Sequence, residues 1–192
     1  AASDVYKRQI KDVESDDAFI QALTAPDFCT KYSSPEKNYF YWKYENYLRR
    51  TEQPVATPMT HEDLRQKENK KLVMTIEHIV AQSNSGEKSK VITDALKIDV
   101  GSVEVFDEKY LNSIGNLTLD PQSANSSKGK KDVDEKNSKY FAKAPYKCQN
   151  ELEEFMIDDV WTLESIKKRK AKLLTFAKEL WCNFDFVKVL RV

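Results

Sequence analysis

Glycine is scarce in this 192-residue chain: Gly86, Gly101, Gly115 and Gly129 are its four, and they never cluster. A phosphate-cradling loop needs glycines grouped so that successive backbone N–H groups can close on the anion, so nucleotide binding by such a loop is excluded. Cysteine is equally sparse. Cys29, Cys148 and Cys182 are odd in number, far apart and in no C-x-x-C pair, which excludes a disulfide framework and a zinc ribbon and leaves free thiols suited to a reducing compartment. No run approaches the roughly 18 apolar residues of a membrane helix, and the N-terminus lacks the charged, apolar, small-residue order of a signal peptide. A cytoplasmic protein with no membrane partner is expected. Charge of one sign is missing too, because 31 basic side chains balance 31 acidic ones. Overall charge therefore argues neither for nor against a polyanionic partner, and the distribution of charge has to decide.

What is present describes an ordinary globular protein, 40% apolar and 32% charged, of a size that suits one domain with helical elaborations. The start at Ala1 without an initiator methionine suggests a fragment of a longer chain. Apolar positions at helical spacing (Ile10, Val13, Phe19, Ile20, Leu23) predict one or two helices before the break at "TAPDF". "EKNYFYWKYENYLRR", residues 36–50, puts Phe40, Tyr41, Tyr44, Tyr47 and Leu48 on one broad face, the mark of an amphipathic core helix; stacking on nucleic-acid bases is the rarer use of such a stripe. Thr60 and Asp63 have the spacing of a capping pair, which sets His61 in a helix's first turn with no ligand role. "KLVMTIEHI", residues 71–79, reads as a strand, and "IGNLTL", residues 114–119, as a second, closed by Pro121. Between them runs a long polar connection with a short helix near "VITDALK". A helix opens around Ser123, and after Pro145 two more follow, the second capped by Thr162. The expected class is mainly α with a small embedded hairpin, α+β overall. Its parts are a helical 1–68, a hairpin-bearing 69–144 and closing helices over 145–192.

The chemistry concentrates where the first strand ends. Hydrolysis of a phosphodiester needs a base of near-neutral pKa to take a proton from water and a cation to stabilise charge on the phosphoryl and leaving oxygens. His78 and Glu77 offer the base and a cation ligand. Neighbours on a strand point to opposite faces, so both serve one substrate only if the backbone leaves strand geometry there, and the end of the apolar run at Ile79 is such a place. With no cysteine nearby, a hard divalent ion would look to carboxylate or amide oxygens. Asn116 and Asn125 are the candidates, although "GN" before a strand also suits a turn and an asparagine in a first helical turn also suits a cap. From Asn125 to Lys147 seven lysines face three acids, a stretch that reads either as a solvated helix face or as a basic patch.

Taken in order, "EHIVAQ", "IGNLTL" and "NSSKGK" with a lysine further on resemble the HNH nucleases, in the branch of GmrSD-type restriction endonuclease C-terminal domains and SspE-type phage-defence proteins. "YFYWKYENYL" looks like that family's helix ahead of the hairpin and "VWTLESIKKRKAKLLTFAKELW" like its closing helix, so the resemblance covers about residues 15–185. It implies a ββα-metal finger holding magnesium or manganese. His78 would be the general base, Glu77 and Asn125 the metal ligands, and Asn116 the residue that pins the loop and orients the imidazole. Lys136 would meet a phosphate, Lys128 being a weaker candidate for the same task, and Lys128, Lys130 and Lys131 would lie along the DNA backbone, where contacts dominate affinity without reading sequence. The family commonly joins this module to a ParB-like NTPase sensor domain or subunit, which this chain does not contain. Ala81, Lys130 and Val133 depart from the usual proline, asparagine and aromatic; the first loosens the turn after the base, and the others touch helix packing. The expected function is a metal-dependent DNA endonuclease serving restriction or phage defence. The alternative is a non-catalytic nucleic-acid-binding or assembly module that keeps the finger as a scaffold.

Overall fold

The structure, a computed structural model, describes residues 15–51, 57–83, 85–94 and 103–182, and of Ser85, Thr93, Asp94, Asn125 and Ser126 only the backbone. Ile10, Val13 and the end of "VITDALK" lie outside the described residues.

The first helix, α1 (Asp16–Thr24), starts where the Ser15 hydroxyl accepts the Ala18 N–H. After the short α2 (Phe28–Lys31) comes α3 (Ser34–Thr51), the central element. Phe40, Tyr41, Tyr44 and Leu48 are buried and Tyr47 partly so, and the charged side is not wholly solvated. Glu45 is buried too, because its carboxylate accepts the Lys147 and Cys148 N–H groups at 2.9 Å each and pairs with Arg49 at 2.6 Å. A buried carboxylate thus ties α3 to the chain 100 residues on, at a cost in desolvation that its donors offset. Thr60 caps α4 (His61–Arg65) in a reciprocal box with Asp63, as the spacing predicts.

The stretch read as a single strand from residue 71 is two. A tight hairpin pairs β1 (Lys67–Glu68) with β2 (Lys71–Leu72) around Asn69 and Lys70, both with positive φ. That turn lacks the Asn-Gly signature, so the sequence hides it. Then β3 (Met74–His78) pairs antiparallel with β4 (Leu117–Pro121). Between them run α5 (Ser85–Asp94), α6 (Val103–Phe106), a wider turn over Asp107–Leu111 and a tight 3-10 turn over Ile114–Asn116. "IGN" is therefore a turn and not part of the strand, and Pro121 is the last strand residue. Directly after it α7 (Gln122–Lys128) packs on both strands, followed by α8 (Val133–Lys139), capped by Asp132. The closing part holds α9 (Lys147–Asn150), a 3-10 turn at Glu151–Phe155 and α10 (Leu163–Ala177), whose N-terminus is the reciprocal Thr162–Ser165 box. The molecule is mainly helical with small antiparallel sheets.

Two hydrophobic clusters form the core. One joins Leu23, Phe40, Tyr41, Met74, Leu119 and Phe176; the other joins Ile79, Val80, Phe106, Val133, Trp161 and Ile166. Helix α10 supplies both, with Ile166 in one and Phe176 in the other. Among the described residues no helix is long and apolar enough to cross a membrane.

Candidate functional site

The site grows from the end of β3. The ladder pairs Glu77 with Thr118 and His78 with Leu117, and it continues as the Ile79 N–H donates to Asn116 O at 2.9 Å. Strand geometry thus holds through both residues, contrary to the expectation that the backbone leaves it here. Strand alternation then sends the two side chains to opposite faces. Glu77 shares its face with Thr75, Thr118 and Asp120, the polar side toward α7 and α8, whereas His78 lies with Ile76, Leu117 and Leu119.

Beyond His78 the chain bends inward, with Ile79, Val80 and Ala81 all buried. Asn116 fixes that bend. Its Oδ1 accepts the Val80 N–H at 3.0 Å while its Nδ2 donates to Leu111 O at 2.9 Å and Val80 O at 3.3 Å. One amide therefore ties the exit of β3 to the end of the long connection. Such a fully buried amide is retained because every bond it makes replaces a bond to water.

The imidazole is held by a residue that the sequence reading passed over. His78 Nε2 meets Asn112 Oδ1 at 3.2 Å. An amide oxygen only accepts, so Nε2 carries the proton and Nδ1 keeps its lone pair. Burial pushes the His78 pKa down to about 4; the Asn112 bond opposes the fall, and the cations of Lys136, Lys37 and Lys88 add to it. The ring is neutral at physiological pH.

Glu77, 7% exposed, receives the Lys136 ammonium on Oε1 at 2.6 Å. The same ammonium donates to the carbonyls of His78 at 2.7 Å and Ile79 at 3.2 Å. Burial raises the Glu77 pKa and Lys136 works against the rise. Next to this pair, Lys128 Nζ is bound to Asp120 Oδ1, which also accepts Gln149 Nε2 at 2.6 Å, and the ammonium lies 4.6 Å from the Phe141 ring centre.

The placement of the basic candidates therefore differs from their expected roles. Lys136 is 0% exposed and Lys128 1% exposed, so neither ammonium faces outward toward a phosphate. The physical reason is the polar strand face: Glu77 and Asp120 are buried carboxylates, and each draws a cation inward to neutralise it. The alternation in "LTLD" carries that signal, since it puts Thr118 and Asp120 on the face of Glu77. Lys130 is exposed in the turn after α7, and Lys131, half-buried there, pairs with Glu135 at 2.7 Å. Asn125 is the fourth residue of α7, but its side chain lies outside what is described. His61 is exposed on α4, edge-on to the Trp42 ring at 4.7 Å.

Whether this region suits a divalent cation turns on its donors. Among the described residues no three His, Cys, Asp or Glu side chains converge as a metal site, and Glu77 Oε2 meets no donor while Oε1 is held by Lys136. One carboxylate oxygen beside a helix that carries an asparagine suits a hard, oxygen-seeking ion that keeps several waters, as magnesium does. It does not suit a zinc-type site, which wants three or four nitrogen or sulfur ligands.

The family described as the C-terminal domain of GmrSD restriction endonucleases matches residues 13–176. No curated protein and no solved structure matches the chain.

Proposed function

Because this chain belongs to the family of C-terminal domains of GmrSD restriction endonucleases, and is thus a restriction-endonuclease-type module, we propose that it is a metal-dependent HNH endonuclease that hydrolyses DNA phosphodiesters. The pair β3–β4 with helix α7 is read as its ββα-metal finger. The observation that carries the reading is the placement of His78 at the end of β3, its imidazole held through Nε2 by Asn112 with Nδ1 left to take a proton from water. Glu77 through Oε2 and Asn125 from α7 would hold magnesium or manganese, which when bound stabilises charge on the phosphoryl oxygens. Asn116 acts as a positioning residue by fixing the bend after the base. Lys136 also positions, holding Glu77 and the strand end together, and contacts with the DNA backbone pass to Lys130 and Lys131. Since the two key side chains leave opposite faces of β3, the reacting phosphate is expected across the strand end, above the bend at Ile79. Selection of DNA, by sequence or modification, is assigned to a ParB-like NTPase sensor domain or subunit acting with this module in the cytoplasm.

Plasmid nicking with magnesium, manganese or EDTA, wild type beside His78→Ala, tests the proposal. The expected outcome is metal-dependent nicking that drops by roughly two to four orders of magnitude without the base. Asn125→Ala should instead raise the metal concentration required. A second reading, a non-catalytic nucleic-acid-binding module, is favoured by the regular ladder at Glu77 and His78 and by the ammonium already on Glu77. Under that reading DNA is bound in EDTA and remains intact with either metal.

A further inference from the structure

Outside the residues so far assigned, the open edge of β3 borders a groove of about 410 Å3 lined by residues of α2, α3, β2 and β3 and by Gln122. Its lining includes the apolar side chains of Leu72, Met74 and Ile76 together with a half-buried Lys37 and an exposed Lys71. Pairing with β4 uses the backbone of Thr75 and Glu77, so Met74 and Ile76 turn their backbone groups toward this edge. Asn38 of α3 latches across it by donating Nδ2 to Met74 O at 2.9 Å. The other end of that amide is unsatisfied: Asn38 is 2% exposed, and among the described residues its Oδ1 has no donor. A buried acceptor without a donor, beside a groove, suits a bound water.

The groove's residues connect to the imidazole through the strand and through Asn112. Ile76 precedes His78 by two residues on the same strand face, and Cys29 of the groove wall donates its N–H to Asn112 O at 2.8 Å, the residue that holds His78. Lys37 is anchored to Cys29 O at 2.5 Å and is one of the cations that oppose a positive charge on His78. Helix α3 begins at this groove with Ser34, and Glu36 of its first turn, which accepts the Ser33 N–H, lies toward a different cleft with Phe28 and Phe40.

We infer that this groove is the track on which a strand of the DNA substrate lies as it approaches His78, with Lys37 and Lys71 on its phosphates and the apolar side chains against its sugars. The inference rests on the nuclease reading for its substrate class. It assigns backbone contact to residues of α3 and β2, outside the helical lysine cluster. A lining that combines lysines with apolar side chains matches a polymer that alternates charge with apolar sugar faces, and contacts of this kind carry affinity without sequence preference.

The test is fluorescence anisotropy of a labelled duplex and of a single strand in EDTA over a range of salt, with circular dichroism to verify folding, followed by nicking in magnesium. Lys71→Glu, Lys71→Ala and Lys37→Gln are compared with Lys168→Glu, which makes the same charge change on the exposed surface of α10. Lys71→Glu should weaken binding about tenfold, and loss of each phosphate contact should reduce the salt slope by about one, whereas Lys168→Glu should change affinity less than about twofold. Groove variants indistinguishable from Lys168→Glu, in a wild type that binds and nicks, overturn the track and leave the nuclease reading intact. A wild type that binds through the groove yet never nicks upholds the track and sinks catalysis. No binding by wild type overturns both, and displacement of DNA by an acidic peptide as potently, charge for charge, as by an unlabelled strand assigns the groove to a protein instead.

Discussion

The single residue with most to reveal is Lys136. Its own side chain has no exposure and its ammonium makes three bonds, so removing it strands a buried carboxylate and releases two carbonyls. Lys136→Met should cost about 3–5 kcal/mol in urea unfolding, because the Glu77 charge then lacks a partner. The double variant Glu77→Gln/Lys136→Met should recover much of that loss, and a simple sum of the two single effects would contradict the coupling. His78 gives a second prediction through pH. Folding lowers its pKa from 6.5 to about 4, so below pH 6.5 the unfolded chain takes up a proton that the folded chain refuses. Stability from this group is complete above pH 6.5 and is lost as pH falls toward 4. Between pH 7.5 and 5, in EDTA, the wild type should lose about 2 kcal/mol more than His78→Gln does. The comparison is needed because the buried carboxyls of Glu77, Asp120 and Glu151 have raised pKa values and shift stability the opposite way. The sequence made Glu77 and His78 visible as neighbours but could not give their directions, which depend on how far the ladder extends. Nor could it show the two lysines turning inward. Their carboxylate partners sit 59 residues away for Lys136 and on the facing strand for Lys128, and a lysine at helical spacing looks the same whether it meets water or an acid.

At the scale of elements, the turn Ile114–Asn116 shows why a scarce glycine stands where it does. A Cβ on Gly115 would come within 2.3 Å of Ile166 O and 3.0 Å of Lys170 Cβ, so only glycine lets α10 lie this close to the turn that carries Asn116. The near neighbour is backbone and cannot rotate away. Gly115→Ala should therefore destabilise by about 1–3 kcal/mol or more, as overpacking does, and should lower nicking further by displacing Asn116 from Val80. A thermal melt beside a nicking assay checks both. Thr162→Ala, which removes the cap from the other side of the same contact, should cost about 1 kcal/mol with nicking unchanged at a temperature where the protein stays folded. Caps and amphipathic helices were legible here: Thr60 with Asp63, Thr162, and the faces of α3 and α10 all follow from spacing. The β1–β2 hairpin and the 3-10 turn over "IGN" were not, because the first uses Asn69–Lys70 in place of a glycine turn and the second is imposed by contact with α10.

At the scale of the whole molecule, the two hydrophobic clusters share α10, and a buried polar centre ties that helix to the elements around it. Arg169 is fully buried; its guanidinium donates to the carbonyl of Leu117, at the start of β4, and to Gly115 O at 3.3 Å, and its Nε lies 3.5 Å from Glu151 Oε1. Glu151 in turn accepts the Tyr44 hydroxyl of α3 at 2.8 Å and pairs with Lys172 at 2.9 Å. Strand, turn, central helix and closing helix thus meet in one charge network, and α10 cannot leave one cluster without disturbing the other. Unfolding should be a single cooperative transition with the same midpoint by near-ultraviolet and far-ultraviolet circular dichroism. Arg169→Met should lower that midpoint as one transition, by about 3–5 kcal/mol, since Glu151 loses a buried partner and β4 loses its donor. If the network instead served one cluster alone, the variant would unfold in two steps, with near-ultraviolet signal from Phe40 and Tyr41 surviving loss of the cluster around Trp161. The same connection links stability to the proposed chemistry: Leu117 faces His78 across the ladder, so a variant that frees Leu117 O loosens the register that places the imidazole. Arg169→Met should accordingly reduce nicking even at temperatures where circular dichroism shows it folded, while the groove-dependent binding of DNA, carried by α3 and β2, is retained.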